Sequence, residues 1–284
     1  MLELDAQGVR KRFGDVVALD GFDLQIAAGE IVGLVGHNGA GKTTFVEIVA
    51  GLTRPDAGTV LVDGLDTASR SVQVRRRVGL APQEISLYLS LTVRENLRLF
   101  AGLAGLRGRH QRSALAETSA ALGLSEVLDR QVGYLSGGQR RRAHAAAAMV
   151  HRPRLLLLDE PTAGADPGTR RALLQLVRQC ADDGAAVCYT THYLPELADL
   201  DATIAVAARG RIIARGTQAE LLAGLPAELR VVLMSGEERV IRSADPASSL
   251  AGLVTQGISL QAVDVQQPSL DDLYHALDGG HVVP

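Results

Sequence analysis

Tryptophan is absent from the 284 residues, and aromatic side chains make up only 3% of them. A sugar-binding groove, an RNA base-stacking platform and an aromatic-rich protein interface all draw on such rings, so none is expected. Surplus positive charge is missing as well. The 29 Lys and Arg stand against 32 Asp and Glu, and the isoelectric point is near 6.2. No nucleic-acid partner is expected, because sequence-independent binding to phosphates runs on excess cations. The two cysteines, Cys180 and Cys188, are too few for a disulfide framework and wrongly spaced for zinc, so they read as packing residues. No apolar run reaches the roughly 18 residues that a membrane-spanning helix needs. The opening stretch carries Glu3 and Asp5 where a signal peptide has basic and then apolar residues. The expectation is a soluble protein of a reducing compartment. Lysine is the scarcest charged residue: only Lys11 and Lys42 are lysines, and every other basic residue is Arg. In a chain so rich in Ala, Gly and Arg this reads as coding bias, and a surviving lysine becomes a candidate for a position that a guanidinium cannot fill.

What is present describes a folded chain, 46% hydrophobic and 21% charged. At about 150 residues per domain the length admits one large domain or a domain with an appendage. No internal repeat stands out. Phe22, Leu24 and Ile26 alternate as in a half-buried strand, and Ile31–Val35 and Thr59–Val62 are continuous apolar runs. Lys42 to Ala50 has helical spacing and stops at Gly51, a C-cap candidate. From about 86 to 150 the pattern is helical: Thr92 with Glu95 forms a capping box, and segments 110–122 and 137–150 follow. Leu155–Leu158 reads as a parallel strand buried on both faces, followed by a helix over 168–182 and strands at Ala186–Thr190 and Ile204–Ala207. The alternation predicts an α/β core with a parallel sheet. The core takes in about 1–85 and 151–216, with the helical segment inserted between them. Residues 217–284 read as a small α+β extension: a helix at 217–224, a hairpin turning at Ser235-Gly236, a helix from Asp245-Pro246, a strand at Ile258–Val265 and a last helix opening at Pro268.

Three constellations carry chemistry. Gly36-His37-Asn38-Gly39-Ala40-Gly41-Lys42-Thr43 fits the phosphate-loop pattern G-x-x-x-x-G-K-[ST], between an expected strand and an expected helix. Its glycines let backbone N–H groups curl around a phosphate, and the helix start adds roughly half a positive charge. Lys42 suits the β- and γ-phosphates as a compact charge, and the Thr43 hydroxyl suits Mg²⁺; Thr44 extends the loop, and the His37 side chain is given no role. Asp159 and Glu160 end the buried strand where open α/β sheets bind ligands. Asp159 suits the metal shell, directly or through water, and Glu160 suits a general base acting on an attacking water. The run Arg140–Arg142 reads as a solvated helix face, with contact to nucleotide or an opposite subunit as the alternative, and Arg75–Arg77 reads as a surface run.

Leu135-Ser136-Gly137-Gly138-Gln139, behind the phosphate loop and ahead of Asp159, resembles the signature of the ABC ATPases. Other pieces fall in that family's order: Phe13 as the ring that stacks on adenine, Gln83 as the Q-loop, Ala163–Asp166 as the D-loop and His192 as the switch histidine. The resemblance implies a P-loop NTPase core of the RecA-like kind with a helical subdomain, ATP and Mg²⁺ as cofactors, and ATP hydrolysis. It implies that Ser136, Gly137, Gly138 and Gln139 face the γ-phosphate held by another subunit, so that ATP is sandwiched in a homodimer or heterodimer. Asp166 joins that nucleotide site, Gln83 contacts Mg²⁺ or the attacking water, and His192 holds the γ-phosphate and the water position. Ala165 stands where the family usually has Leu, which bears on the dimer contact, and Phe13 stands where Tyr is commoner.

Tyr193–Leu197, Gly210–Thr217 and the ending Gln267–Tyr274 resemble the drug-resistance branch of bacterial exporter ATPases that serve ABC-2 type permeases. That implies a separate transmembrane permease as partner, docked on helices 86–150, and a place on the cytoplasmic face of the membrane. An importer ATPase, or a soluble ABC switch in translation or DNA repair, remains the alternative. Nothing in the sequence touches the cargo.

Overall fold

The computed structural model describes residues 1–223, 225–269 and 272–273. Its chain divides into two compact units, Met1–Arg215 and Gly216 onward. The first unit opens with strands β1 (Leu2–Phe13), β2 (Val16–Ala27) and β3 (Ile31–Val35), then helix α1 (Lys42–Val49). Strands β4 (Ala57–Val62) and β5 (Leu65–Asp66), helix α2 (Ser71–Arg75) and strand β6 (Val78–Ala81) follow. Helices α3 (Val93–Leu103), α4 (Gly108–Ala121) and α5 (Gly137–Met149) make the inserted segment. The chain then returns through β7 (Leu155–Asp159), α6 (Pro167–Asp182), β8 (Ala186–Thr190), α7 (Leu194–Asp199), β9 (Thr203–Ala208) and β10 (Arg211–Gly216).

The main sheet has the order β10-β9-β3-β8-β7-β6. Strands β9, β3, β8, β7 and β6 pair in parallel, so their carboxyl ends share one edge. Strands β3, β7 and β8 are buried at every residue, as their unbroken apolar runs require. A second sheet, β2-β1-β4-β5, is antiparallel and was not anticipated. Strand β1 escapes sequence reading because its alternation changes phase. Leu4 and Ala6 are buried, but the next buried residue is Val9, across a bulge at Gly8 with φ of +59°. Between the sheets, Phe22 of β2 stacks on Phe45 of α1 with ring centres 4.3 Å apart.

Small residues bring helices onto the main sheet. A Cβ on Gly79 of β6 would lie 2.1 Å from the Ala148 carbonyl, so α5 rests its backbone there, and Ala143 and Ala145–Ala148 are all buried. Its alanine run therefore belongs partly to the core sheet. The Thr92–Glu95 capping box of α3 forms as expected, and Gly51 follows α1 with φ of +69°.

The second unit holds α8 (Gln218–Leu222), β11 (Ala227–Leu233), β12 (Glu238–Ser243), α9 (Pro246–Thr255) and β13 (Leu260–Gln266). Its antiparallel sheet runs β12-β11-β13, with Leu229, Val231 and Leu233 packed against Leu250, Leu253 and Ile241. Helix α8 is shorter than the expected 217–224, and the helix expected from Pro268 lies mostly outside the described residues. Among the described residues no helix is long and apolar enough to cross a membrane.

Candidate active site

Four segments that are distant in sequence leave the same edge of the main sheet. The loop Gly36–Gly41 leaves β3, Gln83 follows β6, Glu160 follows β7 and His192 follows β8. Since β3, β8, β7 and β6 are consecutive neighbours, their exits form one row at the ligand-binding edge of an open α/β sheet.

Two of the loop's glycines are demanded by packing. A Cβ on Gly36 would lie 2.4 Å from the Ala207 carbonyl, and Gly41, at φ of +101°, would place one 2.7 Å from the Ala18 carbonyl. No side chain caps α1, which leaves its first N–H groups to a ligand. Lys42 folds back over the loop: Nζ donates to the carbonyls of Gly36 at 2.6 Å and His37 at 3.2 Å. Burial pulls the Lys42 pKa down, and the nearby carboxylates of Asp159 and Glu160 oppose that pull. Thr43 is exposed and Thr44 half-buried in the first turn, while the His37 and Asn38 side chains face solvent and Ala40 is buried.

Asp159 is 5% exposed and accepts a hydrogen bond from the Thr190 hydroxyl. Glu160, one residue past the strand, takes a left-handed φ of +46°, a strained state for a non-glycine residue. It is held there by its own N–H, which donates to the carbonyl and the hydroxyl of Thr190, each at 3.1 Å. The turn delivers the carboxylate between two partners. His192 Nδ1 lies 3.2 Å from Oε1, and Gln83 Nε2 donates to Oε2 at 3.4 Å. Gln83, Glu160 and His192 thus meet at one point of the sheet edge.

The signature segment is placed differently. Ser136 caps α5: its hydroxyl accepts from Gln139 N–H at 3.2 Å, and Ser136 N–H donates to Gln139 Oε1 at 3.1 Å. Asp166 caps α6, accepting from Thr169 N–H at 2.9 Å and its hydroxyl at 2.7 Å, which holds its carboxyl below the usual range. A Cβ on Gly138 would come within 3.1 Å of Asp166 Oδ2, whereas one on Gly137 would meet nothing within 4 Å. Phe13 is 50% exposed at the β1–β2 turn, with Lys11 Nζ 5.3 Å from its ring centre and salt-bridged to Asp56.

The run Arg140–Arg142 departs from the solvated reading, whereas Arg75 and Arg76 are exposed as expected. Arg141 donates to the Gln83 carbonyl at 3.1 Å, Arg142 to the Leu122 carbonyl at 3.1 Å and Arg140 to the Leu135 carbonyl at 3.4 Å. All three are half-buried straps on loop backbone, a role that no local pattern announces. Arg75 reaches the Gly51 carbonyl and Arg77 pairs with Asp63. Thr190 was also missed as a site residue, although it stands two positions before His192. Cys188 is buried and Cys180 half-buried, matching the packing reading.

The family described as ABC transporter matches residues 19–163, and the chain belongs to it. It is an ATP-binding, ATP-hydrolysing subunit of that family, which works with ATP and Mg²⁺. Daunorubicin resistance ATP-binding protein DrrA3 of Streptomyces coeruleorubidus is 36% identical over 97% of this chain and 96% of its own length. A solved ATP-binding subunit of an ABC transporter superposes with a TM-score of 0.76 at 25% identity, covering 98% of this chain and 100% of that one. The dimeric structure of MJ0796, a bacterial ABC transporter cassette, gives a TM-score of 0.69 at 26% identity over 75% of this chain and 98% of that one.

Proposed function

We propose that this chain powers an ABC-2 type exporter of drugs or other lipophilic compounds, pairing with a second nucleotide-binding domain and driving a separate permease from the cytoplasmic face of the membrane. The observation that carries the reading is the meeting of Gln83, Glu160 and His192 beside the phosphate loop and Lys42. Residues Gly36–Thr44 cradle the phosphates through backbone N–H groups, and Lys42 leaves its two carbonyls for the β- and γ-phosphates. Phe13 offers its exposed ring to adenine. Glu160 takes the proton of an attacking water while His192 and Gln83 hold the carboxylate in line. Thr43, Asp159 and Gln83 are hard oxygen donors that suit Mg²⁺, an ion that keeps several waters and takes few protein ligands. When bound it offsets charge on the phosphate oxygens.

The glycines of the signature support pairing. Gly137 opens α5 without a positive φ and without a crowded Cβ position, so its own fold does not ask for glycine. A partner's nucleotide approaching Ser136–Gln139 does. Permease docking is supported by an apolar cleft of about 560 Å³ between α2–β6 and α3–α5, lined by Leu52, Val72, Leu80, Phe100 and Leu103 and reaching Pro82 beside Gln83. The export assignment rests on the near full-length likeness to a daunorubicin resistance protein.

Light scattering on the full-length Glu160→Gln variant tests the pairing. The mass is expected to double on adding Mg-ATP. Bound nucleotide with an unchanged mass would refute self-pairing and leave a different ATPase as the partner.

A further inference from the structure

Glu196 is a carboxylate with 1% of its surface exposed, in the first turn of α7 and four residues past His192. A charge survives such burial only where its oxygens are matched, and here three hydroxyls donate to them with Arg170 as the counter-charge. Oε1 accepts from the Thr162 hydroxyl at 2.6 Å and lies 3.0 Å from Arg170 Nε. Oε2 accepts from the Tyr189 hydroxyl at 2.9 Å and the Thr191 hydroxyl at 3.3 Å. The positions of these partners matter more than their number. Thr162 stands two residues past Glu160, and Thr191 immediately precedes His192. Arg170, on α6, is four residues past Asp166 and lies over the Tyr193 ring at 5.1 Å.

The active side chains are not packed into place themselves: His192 is 77% and Glu160 23% exposed. Their 3.2 Å separation therefore depends on how the two backbone segments leaving β7 and β8 are held. Thr190, the last residue of β8, ties Glu160, the first residue past β7, and Glu196 ties the next turn of both exits. Helix α7 is seated firmly enough to act as the anchor, since Leu197 occupies the space that a Cβ on Gly33 of β3 would need, 2.5 Å away.

We propose that Glu196 is a positioning residue for ATP hydrolysis, a buried clamp that sets the Glu160 segment against the His192 segment and ties both to α6. The proposal rests on the roles given above to Glu160 and His192. A displacement of about 1 Å at a catalytic group costs on the order of a hundredfold in rate, so loosening the clamp is read in turnover and not in nucleotide affinity.

Because Glu196→Ala strips the buried Arg170 Nε of its ion-pair partner and is at risk of misfolding, the test uses the tethering threonines. The full-length Thr162→Val/Thr191→Val variant keeps Glu196 on Tyr189 and Arg170 and keeps both side-chain volumes close. Single-turnover hydrolysis with protein in excess, ATP affinity by calorimetry and thermal unfolding are measured together, with Thr162→Ser/Thr191→Ser as the conservative pair. The expected result for the valine pair is affinity within roughly twofold of the parent and cleavage slower by roughly ten- to a hundredfold, with the serine pair restored to near the parent rate. A folded valine pair that cleaves at the parent rate overturns the proposal, and so does a serine pair as slow as the valine pair. Glu160→Gln and His192→Ala run beside them. Parent-like turnover in those two would overturn the underlying site assignment, whereas their loss of turnover beside an active valine pair overturns the clamp alone.

Discussion

Replacing Gly137 by Ala separates what the signature does for its own chain from what it does for a partner. The added methyl meets nothing within 4 Å, and the backbone is already in a region open to alanine. Alanine is a better helix former than glycine by up to about 1 kcal/mol, so thermal unfolding of the monomer is expected to stay level or rise by a few degrees. Association should move the other way. If the start of α5 approaches a phosphate held by another subunit, the methyl pushes back at least one charge-assisted hydrogen bond. At about 1.5–3 kcal/mol for such a bond, lost at both symmetry-related sites of a self-paired dimer, the loss corresponds to roughly 10²–10⁴-fold in the ATP-dependent dimerisation constant. The assay is light scattering against concentration in Mg-ATP, carried in the Glu160→Gln background so that nucleotide persists. Gly138→Ala is the contrast, because its Cβ would press on Asp166 Oδ2 and Thr169 Oγ1 at 3.1 and 3.2 Å and should weaken the cap of α6 in the monomer itself. An unchanged dimerisation constant for Gly137→Ala would refute the idea that this glycine is kept for a partner.

Lys42→Ala removes the charge that reaches the phosphates while relieving a desolvated ammonium; ATP affinity by calorimetry should fall at least about tenfold with no loss of thermal stability. Glu160→Gln keeps the side-chain shape and one acceptor oxygen but removes the proton-accepting carboxylate, so single-turnover hydrolysis should slow by roughly 10²–10⁴-fold with binding intact. His144 accepts a hydrogen bond from Ser86 N–H at 3.3 Å, and burial and Arg141 pull its pKa down to about 4. The neutral ring is what the fold holds, so its stabilisation is full above the unfolded pKa near 6.5 and is lost as pH falls toward 4, about 3 kcal/mol in all. Urea unfolding at pH 7 and pH 5 should show that slope in the parent and a flatter one in His144→Gln.

The local features were legible because each is written within one short stretch. A phosphate loop needs its glycines, lysine and helix start inside a few residues, and the capping box at Thr92 spans three positions. The continuous apolar run at Leu155–Leu158 announces a strand buried on both faces, whatever its neighbours are. Strand β1 was not legible, because a bulge at Gly8 breaks the alternation on which the reading depends, and the antiparallel sheet was missed with it. Arg141 and Arg142 looked solvated because the carbonyls they strap belong to distant loops, at Gln83 and Leu122, while Arg140 turns back on Leu135 of the signature itself.

From the sequence alone came the pieces: a phosphate loop, an acidic strand end, a signature segment, and a family whose order they follow. The tertiary structure decided how they meet. Parallel strands take their order from how the connecting helices pack, and that order, β3-β8-β7-β6, is what sets Lys42, His192, Glu160 and Gln83 in one row. It also decided the uses of Thr190 and Glu196, since a buried hydroxyl or carboxylate acquires its role only from the partners that the fold brings within hydrogen-bonding reach.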